Sequence, residues 1–300
     1  MKKCKIIAII LAASVILTGL GFVIYDKVTT VDFGEIIIDG IPEKADEASR
    51  VMSFNVRCCD DKEGSVKNRS KIVTAIIDQY LPDSVGVQEA TGEWMKILSE
   101  NLEAYAHVGE HRDEDPNSEY SAVFYLKDKF NLLDSGTMWL SDTPDVKYTK
   151  YEESGCTRIA TWAILENKGT GEVYAHINTH LDHMSDNARV MQVKVLNTKI
   201  AELKEAGYSI ICTGDFNAQP TTEVYATITE ALTDCRTVAE NADDGLTAHG
   251  YGKNEEGSAG PIDYAFVGED VKVDTYKIIR NTAKDMYPSD HYPVVADVIF

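Results

Sequence analysis

Residues 209–217 read Ser-Ile-Ile-Cys-Thr-Gly-Asp-Phe-Asn. Ile210, Ile211 and Cys212 form a short continuous apolar run, the pattern of a strand buried on both faces. The run stops at Gly214 and is followed at once by a carboxylate, Asp215, and an amide, Asn217. Strand ends of α/β sheets are where open clefts form, so polar groups there mark a candidate site.

The same grammar recurs on either side. Val51–Val56 reads as a strand carrying Asn55. Asp83–Gln88 is a second strand, ended by Glu89. Val173–Thr179 leads into Ile177-Asn-Thr-His-Leu-Asp-His183, which holds His180. Asp263 follows Pro261-Ile262, and Asp290 and His291 lie in Pro288-Ser-Asp-His-Tyr-Pro293. Further strands are predicted over 121–126, 130–139, 159–165, 262–267, 271–279 and 293–300. Ile72, Val73, Ile76, Ile77 and Tyr80 recur at helical spacing, as do Val193, Leu196, Ile200 and Leu203, and a third helix is expected over 94–102. Two strand-rich halves, each with helices, predict an α/β fold of two mixed sheets packed face to face with helices outside. The chain ends inside an apolar strand pattern, so trimming the last few residues should harm folding.

Singly, each polar residue has a bland explanation. Gly214-Asp215 could be a turn with a capping aspartate, Asn55 an Asx turn, Glu89 a helix cap and His180 a satisfied core histidine. Together they supply carboxylates and amides, which suit a hard divalent cation rather than thiolate-bound metals. They also supply the histidine and amide needed around a phosphoryl transition state attacked in line by water.

The ordered segments SFNVR (53–57), QE (88–89), EYSAVFY (119–125), NTHLDH (178–183), GDFN (214–217), IDY (262–264) and SDH (289–291) resemble the endonuclease/exonuclease/phosphatase superfamily over about residues 49–300. MWLSDTP (138–144) and TRIATWA (157–163) resemble a bacterial branch of it. The resemblance implies a four-layer αββα sandwich and Mg2+-dependent attack of water on phosphorus, with Mn2+ or another divalent cation as an alternative. It implies Asn55, Glu89 and Asp290 at the metal, and Asp215 orienting or deprotonating the water. Asn217 would hold a phosphate oxygen. His291, aligned by Asp263, would bind the scissile phosphate, and His180 would act on the phosphate or leaving group. Glu119 matches the acid that partners this histidine in pancreatic deoxyribonuclease-like members. Arg158 stands where some members carry a phosphate-binding arginine, although pairing with a surface acid is an equal alternative. Ala218-Gln219-Pro220 after Asn217 departs from inositol-polyphosphate 5-phosphatases, and Ala259-Gly260-Pro261-Ile262 departs from abasic-site endonucleases.

The net charge of −20 disfavours tight non-specific binding of long polyanions, although a divalent cation can locally reverse such a field. Ile6–Tyr25 is a twenty-residue stretch without charge, preceded by Lys2, Lys3 and Lys5. As a helix it spans ~30 Å, the thickness of a bilayer core. The expected organisation is a basic cytoplasmic tail (1–5), a transmembrane signal-anchor helix (6–25), a linker or stalk (26–48) and a catalytic domain (49–300) outside the cytoplasm. A cleaved signal, giving a secreted domain, is the alternative. Cys58, Cys59, Cys156, Cys212 and Cys235 show no metal-type spacing; one disulfide remains open, and Cys212 reads as core. The expected ligand is a phosphoester, whether nucleotide, nucleic-acid fragment or lipid head group. No stable protein partner is implied. A sphingomyelinase-like lipid phosphodiesterase and a catalytically silent phosphoester-binding domain are the competing functions.

Overall fold

A computed structural model describes residues 30–254, 257 and 260–300. The expected helix over 6–25 lies outside them. Among the described residues no helix is long and apolar enough to cross a membrane.

In chain order the elements are β1 (Ser49–Asn55), α1 (Val66–Tyr80), β2 (Ser84–Ala90), α2 (Gly92–Asn101), β3 (Tyr105–Val108), β4 (Tyr120–Leu126), β5 (Phe130–Trp139), β6 (Ile159–Asn167), β7 (Val173–His180), α3 (Asp186–Glu205), β8 (Ser209–Asp215), α4 (Glu223–Thr229), β9 (Thr233–Asp234), α5 (Cys235–Val238), β10 (Asn241–Ala242), β11 (Asp263–Val267), β12 (Lys272–Ile278) and β13 (Val294–Ile299). One sheet runs β10-β12-β13-β1-β2-β4-β3 and the other β5-β6-β7-β8-β11-β9. Both are mixed: β1 and β2 are parallel in the first, β7 and β8 in the second, and most other pairs are antiparallel. The last long strand, β13, is an interior strand between β12 and β1, which gives the apolar C-terminus its structural role.

Period-two alternation sorts the side chains into layers. On β1, Met52 and Phe54 join a core with α1 and α2, whereas Val51 faces the opposite sheet. On β8, Ile210 and Cys212 pack with α3 and α4, whereas Ile211 points between the sheets. The result is helices, sheet, sheet, helices. Toward the cleft, the apolar filling between the sheets gives way to polar side chains that bond across the gap. Asn178 donates to the carbonyls of Val87 (2.8 Å) and Ala122 (3.0 Å) and accepts from Gln88 (2.7 Å) and Thr213 (3.1 Å). His176 bridges Ser84 and Thr213, both at 2.8 Å, and full burial pulls its pKa down to about 3, so it is neutral there. The approach is too close for a side chain at Gly86: a Cβ there would lie 2.1 Å from Thr213 Oγ1 and 2.4 Å from Asn178 Oδ1.

Residues 30–48 carry no regular structure, and the β-like run over 35–39 forms no ladder. They nevertheless lie against α1 instead of standing clear of it. Phe33 and Ile38 are buried in the core beneath α1, Gln79 bonds the backbone at Ile36 and Ile38, and Asn68 accepts from Val31 N. With backbone groups satisfied by side chains of a helix, the segment needs no neighbouring strand. All five described cysteines are free thiols, and Cys212 is buried as expected of a core residue.

Candidate active site

The carboxyl ends of β1, β7 and β8 deliver Asn55, His180 and Asp215 to one place because all three occupy the inter-sheet face of their strands. Glu89 needs a different device. Its neighbour Gln88 points between the sheets, so alternation alone would send Glu89 toward the helices. Instead Glu89 adopts φ +57°, an uncommon left-handed conformation for a non-glycine residue, and the β2–β4 register slips between Val87 and Ala90. This bulge turns the carboxylate to Asn55, whose Nδ2 donates to Glu89 Oε1 (3.1 Å) and to Asp215 Oδ2 (3.0 Å). Cys58 N donates to Glu89 Oε2 (2.9 Å). Although burial opposes ionisation of Glu89, these bonds and the charges of His291 and Arg57 prevail and hold its carboxyl below the usual range.

Asp263 lies opposite Asp215 across the β8–β11 ladder. His291 Nδ1 donates to Asp263 Oδ2 at 2.9 Å and lies 3.8 Å from Asp215 Oδ2. Burial disfavours the imidazolium, but Asp263, Asp215 and Asp290 outweigh it and raise the pKa well above the ordinary histidine value. Asp215 is pushed up to about 7, first by burial and then by the charge of Asp263, against the pull of His291 and the bonds from Asn217 N and Asn55. A carboxyl whose pKa lies near 7 beside an imidazolium has the proton affinity that base chemistry at neutral pH requires.

His180 sits on the other flank, 3.5 Å from Asp215 through Nε2. Asn217, at φ +47°, donates from Nδ2 to both Leu181 O and His180 Nε2, each at 3.1 Å. Because Nδ2 is a donor, His180 Nε2 accepts and Nδ1 carries the proton. Burial, Arg158, Arg112 and His291 together keep this ring neutral. Its Nδ1–H is buried with no hydrogen-bond partner among the described residues. Both amide hydrogens of Asn217 are engaged, so in this arrangement the side chain orients His180.

A cleft of about 300 Å³ is lined by Glu89, Glu119, Arg158, His180, Asp215, Asn217, Asp290 and His291, together with Arg57, Arg112, Cys156 and His183. Asn55 and Asp263 support it from behind, so the ten predicted residues all meet here. Besides Asn217, whose amide hydrogens are taken, Glu119 differs from expectation, and for Arg158 one of the two open alternatives falls away. Glu119 binds Arg112 Nη1 at 2.7 Å and stays 4.0 Å from His180 Nδ1, since the guanidinium offers the stronger, charge-assisted bond. Arg158 pairs with no surface acid: it is 3% exposed, touches His183 Nδ1 at 3.1 Å, and leaves Nε and Nη1 buried without partners among the described residues. The charges of Glu119 and Asp182 act on it without bonding it, and its free Nε and Nη1 donors suit an anion. His183 reaches the cleft, whereas His249 is buried against Tyr292 with ring centroids 3.8 Å apart. Trp139 is core, with its Nε1 donating to Arg112 O.

Two residues in the support of the site carried no functional signal in the sequence. Arg112 stood in a polar loop. Arg69 lay within an amphipathic helix, yet it is fully buried and its guanidinium binds the carbonyls of Val56, Arg57, Cys59, Gly64 and Pro288, tying the loops after β1 and before His291 together.

Glu89 and Asp290 offer hard carboxylate oxygens with two formal negative charges, and both lie within 4 Å of one cation, the Arg57 guanidinium. Asn55, expected at the metal, turns Nδ2 to Glu89 and keeps Oδ1 on Arg57 N, so here it positions Glu89 and presents no oxygen. That donor set fits Mg2+ or Mn2+. Ligand atoms also converge within 4.8 Å in two other groups, Cys156–Asp182–His183 and, at the centre of the site, Asp215–Asp263–His291. Its imidazole is protonated and bonded to Asp263, which suits catalysis better than ligation.

The fold and cleft therefore define a phosphoesterase-type site. The chain belongs to the Endonuclease/Exonuclease/phosphatase family, whose model matches residues 52–291; members of this family are phosphoester hydrolases. An endonuclease/exonuclease/phosphatase from Bacteroides vulgatus is similar at 31% identity and TM-score 0.77, covering 84% of this chain and 98% of that one. A mannosyl-6-phosphatase from Bacteroides thetaiotaomicron is similar at 28% identity and TM-score 0.78, covering 84% and 100%. The human nocturnin catalytic domain, at 19% identity and TM-score 0.66, covering 86% and 96%, shares the fold. No curated protein matches the chain by sequence.

Proposed function

We propose that this chain is a metal-dependent phosphatase that cleaves a terminal phosphate ester by in-line attack of water on phosphorus. One observation carries the reading: a carboxylate poised near neutrality, a fixed imidazolium and an unpaired buried guanidinium face the same small cleft. Asp215 takes a proton from the attacking water. The water oxygen bonds to phosphorus as the bond to the leaving oxygen breaks. The leaving oxygen takes a proton from solvent, and Asp215 releases the proton it took to solvent, which resets the site. His291 uses Nδ1–H on Asp263 and keeps its Nε2 proton for a phosphoryl oxygen, while the free His180 Nδ1–H serves a second oxygen or the leaving group. Glu89 and Asp290 would hold the cation, with Asn55 fixing Glu89 through Nδ2; when bound, the cation neutralises phosphoryl charge. Two fixed positive groups, His291 and Arg158, match the two charges of a phosphate monoester. The similarity to the mannosyl-6-phosphatase supports a sugar-phosphate class of substrate.

The lysine-flanked apolar stretch over 6–25 supports a membrane-anchored enzyme with its catalytic domain outside the cytoplasm. The test is a panel on the full-length chain: sugar phosphates, nucleotides, oligonucleotides, a phosphodiester and phospholipid head groups, each with Mg2+, Mn2+ or chelator. Metal-dependent release of phosphate, abolished by Asp215→Ala and His291→Ala in folded protein, is expected. Saturable binding without turnover across the panel would instead identify a silent binding domain.

A further inference from the structure

Arg57 sits among carboxylates without bonding any of them. Its Nη1 lies 3.9 Å from Glu89 Oε2, and its Nε lies 3.7 Å from Asp290 Oδ2 and 3.8 Å from Asp61 Oδ2. These are charge contacts, too long for hydrogen bonds, and Nε is buried with no hydrogen-bond partner among the described residues. Guanidinium groups usually settle into short, forked bonds with carboxylates. This one is held by charge and not by geometry.

Its root is fixed. Arg57 adopts φ +60°, its N–H donates to Asn55 Oδ1 (3.0 Å), and its carbonyl accepts from Trp94 Nε1 (2.8 Å) and Arg69 Nη2 (3.1 Å). Only the side chain is free to move. Asp61 is fixed too, with Oδ1 accepting from Glu63 N and Gly64 N, each at 3.1 Å, while Oδ2 is buried beside the Tyr251 hydroxyl and makes no well-formed hydrogen bond among the described residues. A movement of about 1 Å by the guanidinium toward Asp61 would create a charge-assisted hydrogen bond there.

We propose that Arg57 is the resident counter-ion of the Glu89–Asp290 pair, and that it retires onto Asp61 when a divalent cation takes its place. Two positive centres between the same two carboxylates repel, so occupancy by one excludes the other. Asp61 gives the displaced guanidinium a partner and so lowers the cost of the exchange. The arrangement offsets half of the charge of the two carboxylates before metal arrives. This inference rests on the reading of Glu89 and Asp290 as the metal-holding groups.

The experiment is calorimetric titration of the full-length chain with Mg2+ and Mn2+, paired with thermal melts in chelator and in saturating metal. Arg57→Gln should bind metal about tenfold more tightly than the wild type, melt lower in chelator, and gain more on metal addition. Arg57→Lys keeps the charge and should bind nearer the wild-type Kd. Asp61→Asn should weaken binding several-fold by removing the retreat. An Arg57→Gln Kd equal to or weaker than the wild type would overturn the exchange. Absence of saturable binding in the wild type, or unchanged binding in Glu89→Gln, would instead overturn the metal reading beneath it.

Discussion

Asp263→Asn isolates one charge. Asparagine keeps the size and an oxygen acceptor for His291 Nδ1–H, so the ring should stay in place. What disappears is a negative charge 2.9 Å from a buried imidazolium. At an effective dielectric of about 20, that pair is worth at most about 6 kcal/mol, equivalent to roughly a 10⁴-fold change in the proton affinity of His291. The second consequence falls on Asp215, whose pKa of about 7 owes its next-largest contribution after burial to the charge of Asp263. Removing that charge lowers the carboxyl and makes it a weaker base. Both limbs of the pH–rate profile should therefore move to lower pH. The acid limb reports ionisation of Asp215, and activity is lost as pH falls through its pKa. The alkaline limb reports loss of the His291 proton, and activity is lost as pH rises through that value. Turnover at the new optimum should fall on the order of 10³-fold. The assay is kcat/KM for a chromogenic phosphomonoester across pH, with circular dichroism to verify folding. A folded variant with wild-type rates, or one slowed with both limbs unmoved, would refute the charge argument.

Other outcomes follow from the packing and the supports. Gly86→Ala places a methyl group 2.1 Å from Thr213 Oγ1 and forces the sheets apart; a loss of about 3 kcal/mol and a Tm lower by about 6–12 °C are expected in a thermal melt. Arg69→Met leaves five carbonyls without their charged donor and should cost at least ~3 kcal/mol, read by denaturant unfolding; weaker metal binding in the folded fraction would show that it also positions the loops around Arg57 and Asp290. Chelation should abolish turnover and Mg2+ or Mn2+ should restore it. Full activity after exhaustive chelation would count against Glu89 and Asp290 as metal holders.

Much of the architecture was legible because local patterns carry it. The apolar run at 210–212 and the alternation in β1 report burial directly, so strand and helix positions could be read one by one. The residues closing those strands were legible as candidates because carboxylates and imidazoles are rare companions of buried runs. Other features had no local signature. The packing of 30–48 on α1 depends on Asn68 and Gln79, residues distant in the chain. Arg69 looks like an ordinary helical cation until the loops it ties are folded around it.

The amino-acid order alone therefore settled the long strands and helices and the chemical groups at their ends, since period and polarity are properties of neighbouring residues, but not β3 nor the short elements α4, β9, α5 and β10, which were not read from it. Only the tertiary structure decided how those groups act on each other. The left-handed turn that aims Glu89, the Asp215–Asp263–His291 coupling and the unpaired guanidinium of Arg158 arise from burial and charge across strands far apart in sequence. Proton affinity depends on those surroundings, and no local pattern specifies them.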